Sequence, residues 1–195
     1  WDPFSHKGTG WFDINWMFGI EDGFDIVIGN PPYYTLAKGK GQKSDQSTIS
    51  QYKDLYETFE YKGNTFALFY EKGIEILNKT GIISYITPDT LLLNNSFSKL
   101  RKILIENVEI QSILNVKDKI FGDAEIGGAS VIIATRDNDR NDEVKIDICN
   151  DSKLRYVNTK YVPRKLLSSA PGGRFILDKE QLEILSMMVN FGKRL

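Results

Sequence analysis

The stretch Phe24-Asp25-Ile26-Val27-Ile28-Gly29-Asn30-Pro31-Pro32-Tyr33 constrains the chain more than any other, because a short β-branched run passes directly into a stiff, polar, aromatic turn. Ile26, Val27 and Ile28 carry no charge between them, which predicts a strand buried on both faces of a parallel sheet. Such strands present their chemistry at their carboxyl ends. The two prolines fix φ at about −65°, hold the residues before them extended and remove backbone donors, so the turn is rigid and rich in acceptors. Asn30 adds a carboxamide, and Tyr33 adds a flat ring with a polar tip.

These groups fit chemistry on a planar amine. An amino group conjugated into a heterocycle is a poor nucleophile, so acceptors must draw its N–H bonds out of the ring plane as the nitrogen becomes tetrahedral. Asn30 and the Pro31 carbonyl are candidates for those acceptors, and Tyr33 for a stacking surface. A base inside a duplex reaches such a turn only by being flipped out. Pro-Pro after a strand also makes ordinary turns, and the narrower signal is the four-residue set with Asn before it and Tyr after it.

The segment Asp25–Tyr33, with Leu55-Tyr56-Glu57-Thr58-Phe59, Phe66-Ala67-Leu68-Phe69 and Gly81–Leu92, resembles the Asn-Pro-Pro-Tyr amino-methyltransferases of restriction-modification systems, which make N6-methyladenine in DNA. The likeness covers about residues 11 to 136. It implies catalytic roles for Asn30, Pro31, Pro32 and Tyr33, S-adenosylmethionine as methyl donor with Asn30 and Asn64 beside it, and double-stranded DNA as partner. The motif is shared with RNA and protein-glutamine methyltransferases, so those substrates stay open as alternatives. So does a non-catalytic DNA-binding module of the same fold, although such a scaffold has no need of the acceptors.

The fold implied is α/β: the C-terminal part of a doubly wound, mostly parallel Rossmann-like methyltransferase sheet with an antiparallel strand near one edge. Residues 1–150 are expected to form the catalytic half, and 151–195 the connection to a target-recognition region. The chain begins at Trp1 without an initiator methionine, which points to a fragment whose cofactor-binding segment lies upstream, inactive by itself. Asp2-Pro3 and Gly8-Thr9-Gly10 do not replace that segment. No apolar strand precedes them, and no acid-bearing strand separates them from Asn30.

Charge is balanced, with 25 Lys and Arg against 26 Asp and Glu, so any basic patch for nucleic acid must be local. A single Cys149 excludes an internal disulfide, and with His6 alone it cannot build a Cys/His zinc site. No metal is expected. No apolar run reaches the length of a membrane span and no signal peptide is visible, so a cytoplasmic protein is expected.

Along the chain, Trp11, Phe12, Trp16, Met17 and Phe18 read as a loop packing on the sheet edge. Lys38, Lys40 and Lys43, interleaved with glycines, are candidates for a flap on DNA phosphates. Tyr52, Leu55, Tyr56 and Phe59 are spaced for one helical face. Phe66, Phe69, Tyr70, Gly73, Ile74 and Leu77 form an apolar stripe that predicts a helix capped by Asn64 or Thr65 and closed by Gly81. Residues 81–88 read as a strand and 96–106 as a helix with Phe97, Leu100, Ile103 and Leu104 inward and Lys99, Arg101 and Lys102 solvated. Strands are expected at 110–116, 129–135 and 144–149, and a last helix at 178–191. Tyr156 and Tyr161 are candidates for a second aromatic face on the flipped base, with packing the commoner role for such residues.

Overall fold

The apolar runs assemble into one six-stranded sheet in the computed structural model, which describes residues 14–36, 46–120, 127–137, 142–167, 169–178, 180–184 and 187. In chain order the elements are α1 (Ile14–Phe18), β1 (Phe24–Gly29), α2 (Gln46–Leu55), α3 (Thr65–Glu75), β2 (Leu77–Pro88), α4 (Thr90–Leu93), α5 (Ser98–Asn107), β3 (Glu109–Val116), β4 (Ala129–Thr135), β5 (Glu143–Cys149), β6 (Val157–Pro163) and α6 (Arg164–Leu167). Single 3-10 turns lie at Asn95–Phe97 and Pro171–Gly173. The strands lie side by side in the order β1-β2-β4-β3-β5-β6. β1 pairs parallel with β2 and β3 with β5, while β4 is antiparallel to β2 and β3, and β6 to β5. Strands β1, β2, β3 and β5 therefore share a direction, and their carboxyl ends line one rim of the sheet. The expected α/β class is present; one reversed strand, β4, lies inside the sheet and the other, β6, closes the far edge.

Helices α3 and α5 cover one face. Phe66, Tyr70 and Ile74 recur at helical spacing and pack with Leu100, Ile103 and Leu104 onto Ile83 and Tyr85 of β2, Ile113 of β3, Ile132 of β4 and Ile146 of β5. The start of α3 is fixed twice: the Asn64 side chain accepts from Phe66 N–H, and Gly63 turns the chain at φ +62° against the Phe59 ring, where a Cβ has no room. Phe69 lies off the buried stripe at 47% exposure. A smaller cluster of Leu36, Ile49, Phe59 and Leu68, with Tyr52 and Tyr56 against it, sits beyond α3; Leu55, expected on that face, is exposed.

The other face carries no such cover among the described residues. Ile26, Ile28, Ile82 and Ile133, which share that face by strand register, are 63%, 76%, 42% and 40% exposed. β1 is thus an edge strand with only Val27 turned to the core, instead of a strand buried on both faces. Trp16 and Phe18, expected to pack on the sheet edge, are exposed in α1.

Two further expectations, on Gly81 and Arg101, are corrected. Helix α3 ends at Glu75 with Ile76 as its C-cap and β2 begins at Leu77, so Gly81 closes no helix; it sits where β2 passes β1, and a Cβ there would meet the Phe24 carbonyl oxygen at 2.7 Å. Arg101 is fully buried instead of solvated. Beyond residue 150, β6 extends the sheet and Val162, Leu167, Phe175, Leu177 and Leu182 join the main core. Of the last helix, residues 180–184 and 187 are described, with Leu182 buried, and the remaining stripe residues lie outside the described set.

Candidate active site

β1 ends at the carboxyl rim of the sheet, and the Asn30–Tyr33 turn follows it there. Gly29 ends the strand beside Tyr85 of β2, and Asn30 follows with its side chain exposed. Pro31 is buried and Pro32 exposed, and among the described residues no donor reaches the Pro31 carbonyl. The Tyr33 hydroxyl lies 2.8 Å from the Ile86 carbonyl oxygen on β2 and 2.5 Å from Asn30 Oδ1. Its ring meets Phe66 of α3 edge-on at 6.3 Å. Tyr33 therefore ties the turn to β2 by its tip and to α3 by its edge. Partial burial raises its phenol pKa, which keeps the hydroxyl protonated across the neutral range.

Thr65, at the first helical position of α3, holds the other side of the turn. Its hydroxyl donates to the Pro32 carbonyl at 2.5 Å and accepts from Tyr34 N–H at 3.3 Å, and its backbone N–H donates to the Tyr34 carbonyl at 3.0 Å. A bridge between Thr35 and Asn64 continues the contact. The first turn of α3 leaves N–H groups without intrahelical partners, and here one of them is used on the Asn30–Tyr34 segment. Thr65 appears in the sequence only as an alternative cap, and the sole signal for a larger role is a hydroxyl beside a segment that has lost two donors to proline.

The predicted site residues separate into three sets. Asn30, Pro31, Pro32 and Tyr33 come together at one strand end. Asn64 stands beside them, but its carboxamide oxygen is committed to Phe66 N–H as a helix cap. Tyr156 and Tyr161 are 80% and 55% exposed and flank or belong to β6, five strand positions from β1, a separation of about 24 Å at about 4.8 Å per strand. Neither reaches a ring held at Asn30. Lys38, Lys40 and Lys43 lie outside the described residues. Among the described residues no group of three His, Cys, Asp or Glu side chains can hold a metal ion, and no helix is long and apolar enough to cross a membrane.

Known proteins carry the same elements. The chain is 30% identical over 92 residues to the type II restriction enzyme and methyltransferase RM.Eco57I of Escherichia coli, a match covering 47% of this chain and 9% of that protein. It is 32% identical over 87 residues to the type II methyltransferase M.TthHB8I of Thermus thermophilus, covering 43% of this chain and 20% of that one. The chain thus spans a fifth or less of these relatives' length. In fold it is similar to a Listeria monocytogenes protein assigned to the class I S-adenosylmethionine-dependent methyltransferases, with TM-score 0.51 and 20% identity over 68% of this chain and 39% of that one. The profile of one family matches residues 3–121, which takes in β1, the Asn30–Tyr33 turn, α3 and β2, and the chain belongs to that family, the Eco57I restriction-modification methylases.

Proposed function

We propose that the complete protein transfers a methyl group from S-adenosylmethionine to N6 of adenine in double-stranded DNA, within a restriction-modification system. The observation that carries this reading is the exposed Asn30 carboxamide beside the uncommitted Pro31 carbonyl at the carboxyl end of β1. Two acceptors at one strand end suit an amine with two N–H bonds. They hold those bonds most strongly once the nitrogen has become tetrahedral, so their contribution falls on the transition state instead of on docking. The Tyr33 ring, fixed at its tip and edge, supplies a stacking surface for the extruded base. S-adenosylmethionine, when bound, supplies an electrophilic methyl on a sulfonium. The exposed Asn30 side chain at the strand end fits contact with that group; Asn64 is less suited, since its oxygen serves the cap.

The outer edge of β1, unpaired among the described residues, and the apolar face bearing Ile26, Ile28, Ile82 and Ile133 support a parent chain in which an upstream cofactor-binding segment continues the sheet. A downstream recognition region and phosphate contacts from Lys38, Lys40 and Lys43 complete the proposal. The test is methyl incorporation by the complete protein into DNA, RNA and protein, followed by identification of the modified base. Label in N6-methyladenine that disappears with Asn30→Ala is the expected result. Label confined to RNA or to protein glutamine would overturn the DNA reading.

A further inference from the structure

The geometry points to Thr65 as a positioning residue for the proposed methyl transfer, a role that rests on the reading of Asn30 and Pro31 as acceptors. Two consecutive prolines leave the Asn30–Tyr33 turn with no N–H at positions 31 and 32, so it has two fewer backbone donors with which to brace itself. Bracing from outside the turn makes up for them, and Thr65 supplies it on the α3 side.

The hydrogen-bond ledger at Thr65 closes. The hydroxyl has one proton and two lone pairs. Its oxygen lies 2.5 Å from the Pro32 carbonyl oxygen and 3.0 Å from that of Tyr34, which also accepts Thr65 N–H, so the Pro32 contact is much the shorter. The proton therefore belongs to Pro32, and a lone pair takes Tyr34 N–H. Every polar group of Thr65 that faces the turn is thereby used, at 5% exposure, with little competition from water.

The consequence reaches the acceptors. Pro32 φ is fixed by its ring, and its carbonyl is fixed by Thr65, so the orientation of the peptide joining Pro31 to Pro32 is determined from both sides. The Pro31 carbonyl direction is set with it. On the far side, Tyr33 bonds the Ile86 carbonyl, so the turn is held between α3 and β2. Removing the Thr65 hydroxyl would free one side while leaving Asn30, Pro31 and Tyr33 in place.

The experiment compares the complete wild-type protein with Thr65→Val, which keeps the shape and loses the hydroxyl, and Thr65→Ser, which keeps the hydroxyl. Single-turnover methylation, DNA affinity, cofactor affinity and thermal unfolding are measured on each. The expected result is a roughly ten- to hundred-fold lower single-turnover rate for Thr65→Val, with both affinities near wild type, and recovery of most of the rate in Thr65→Ser. An active wild type with an equally active Thr65→Val overturns the role of Thr65 alone. A Thr65→Val protein that loses affinity and unfolding temperature in step with rate shows a purely structural residue and also overturns it. A wild-type protein that methylates no DNA overturns the functional reading and this role together.

Discussion

Replacing Arg101 by Met should destabilise the fold by about 3 kcal/mol, and the structure supplies the terms. Arg101 lies in α5 with no exposed surface, and its guanidinium donates to four carbonyls: Nε to Gly173 at 2.8 Å, Nη1 to Leu91 at 2.9 Å and Asn94 at 2.7 Å, and Nη2 to Gly172 at 3.0 Å. Burial lowers its pKa, the nearby Arg174 charge adds to that and Glu60 opposes it, yet an arginine stays charged throughout the working range. Hydrogen bonds to a charged group contribute ~1.5–3 kcal/mol each, and burying the charge costs several kcal/mol, so the four bonds exceed the cost by only a few kcal/mol. In Arg101→Met the Gly172 and Gly173 carbonyls can turn to water, whereas the Leu91 carbonyl stays buried without its donor. The assay is urea unfolding at constant slope, together with a thermal midpoint lower by roughly 6–12 °C for a chain of this size. Proteolysis at Gly172–Gly173 should also quicken, since that turn is held to α5 by this side chain. A loss under about 1 kcal/mol would refute the reasoning and mean that the guanidinium is solvated.

Asn30→Ala in the complete protein should lower single-turnover methylation by roughly a hundred-fold or more while DNA affinity changes little, measured by quench-flow and titration. Tyr33→Ala should weaken capture of the extruded base by about 1–3 kcal/mol, read from 2-aminopurine fluorescence at the target position, whereas Tyr33→Phe should keep the stacking and lose about 1 kcal/mol of stability with the Ile86 bond. Asp178, held below its ordinary 3.8 by the Lys160 ammonium and by Gln181 N–H, contributes stability that is present above pH 3.8 and lost as pH falls through its lower folded value. Acid titration of unfolding should therefore show a shallower loss in Asp178→Asn than in the wild type. Gly23→Ala should cost more than about 2 kcal/mol in urea unfolding, because Gly23 sits at φ +96° and a Cβ would meet the Ile76 carbonyl oxygen at 2.6 Å.

Periodicity made much of the fold legible, and its failures have physical causes. Runs such as Ile110–Val116 and Ala129–Thr135 read as strands because both flanks are polar and the cores are β-branched. The helix spacing of Phe66, Tyr70 and Ile74 is equally plain. Edge strands are harder. β6 was not visible because Tyr156, Val157 and Tyr161 are all exposed and only Val162 is buried in the strand, so no alternation of apolar and polar residues survives. β2 was shortened at its start because a glycine four residues beyond Leu77 looks like a helix end. Pairing of Leu77 with Phe24, a contact fifty-three positions away in the chain, overrides that local signal. Arg101 did carry a trace of its position: with Leu100, Ile103 and Leu104 it completes the buried arc of α5, and a charge set in such an arc needs partners that the sequence does not name.

The site divides along the same line between local and distant information. Asn30, Pro31, Pro32 and Tyr33 are consecutive, and their residue types alone state which acceptors and which ring stand at the strand end. What aligns them is distant in sequence: Thr65 from α3 and the Ile86 carbonyl from β2. The sequence shows Tyr33 as a ring at the turn but not the reach of its hydroxyl to Ile86, and that contact changes how Asn30 is held. A phenol has one proton, and its oxygen lies within hydrogen-bonding distance of two acceptors, Ile86 O and Asn30 Oδ1. When the proton is on Ile86, Asn30 can turn its carboxamide so that its NH2 donates to the phenol oxygen and its own oxygen faces solvent. In that arrangement the Tyr33 hydroxyl donates to the Ile86 carbonyl and accepts from Asn30, which leaves the Asn30 oxygen unused by the turn. That freed oxygen is the one the proposed methyl transfer would use as acceptor for an incoming amine.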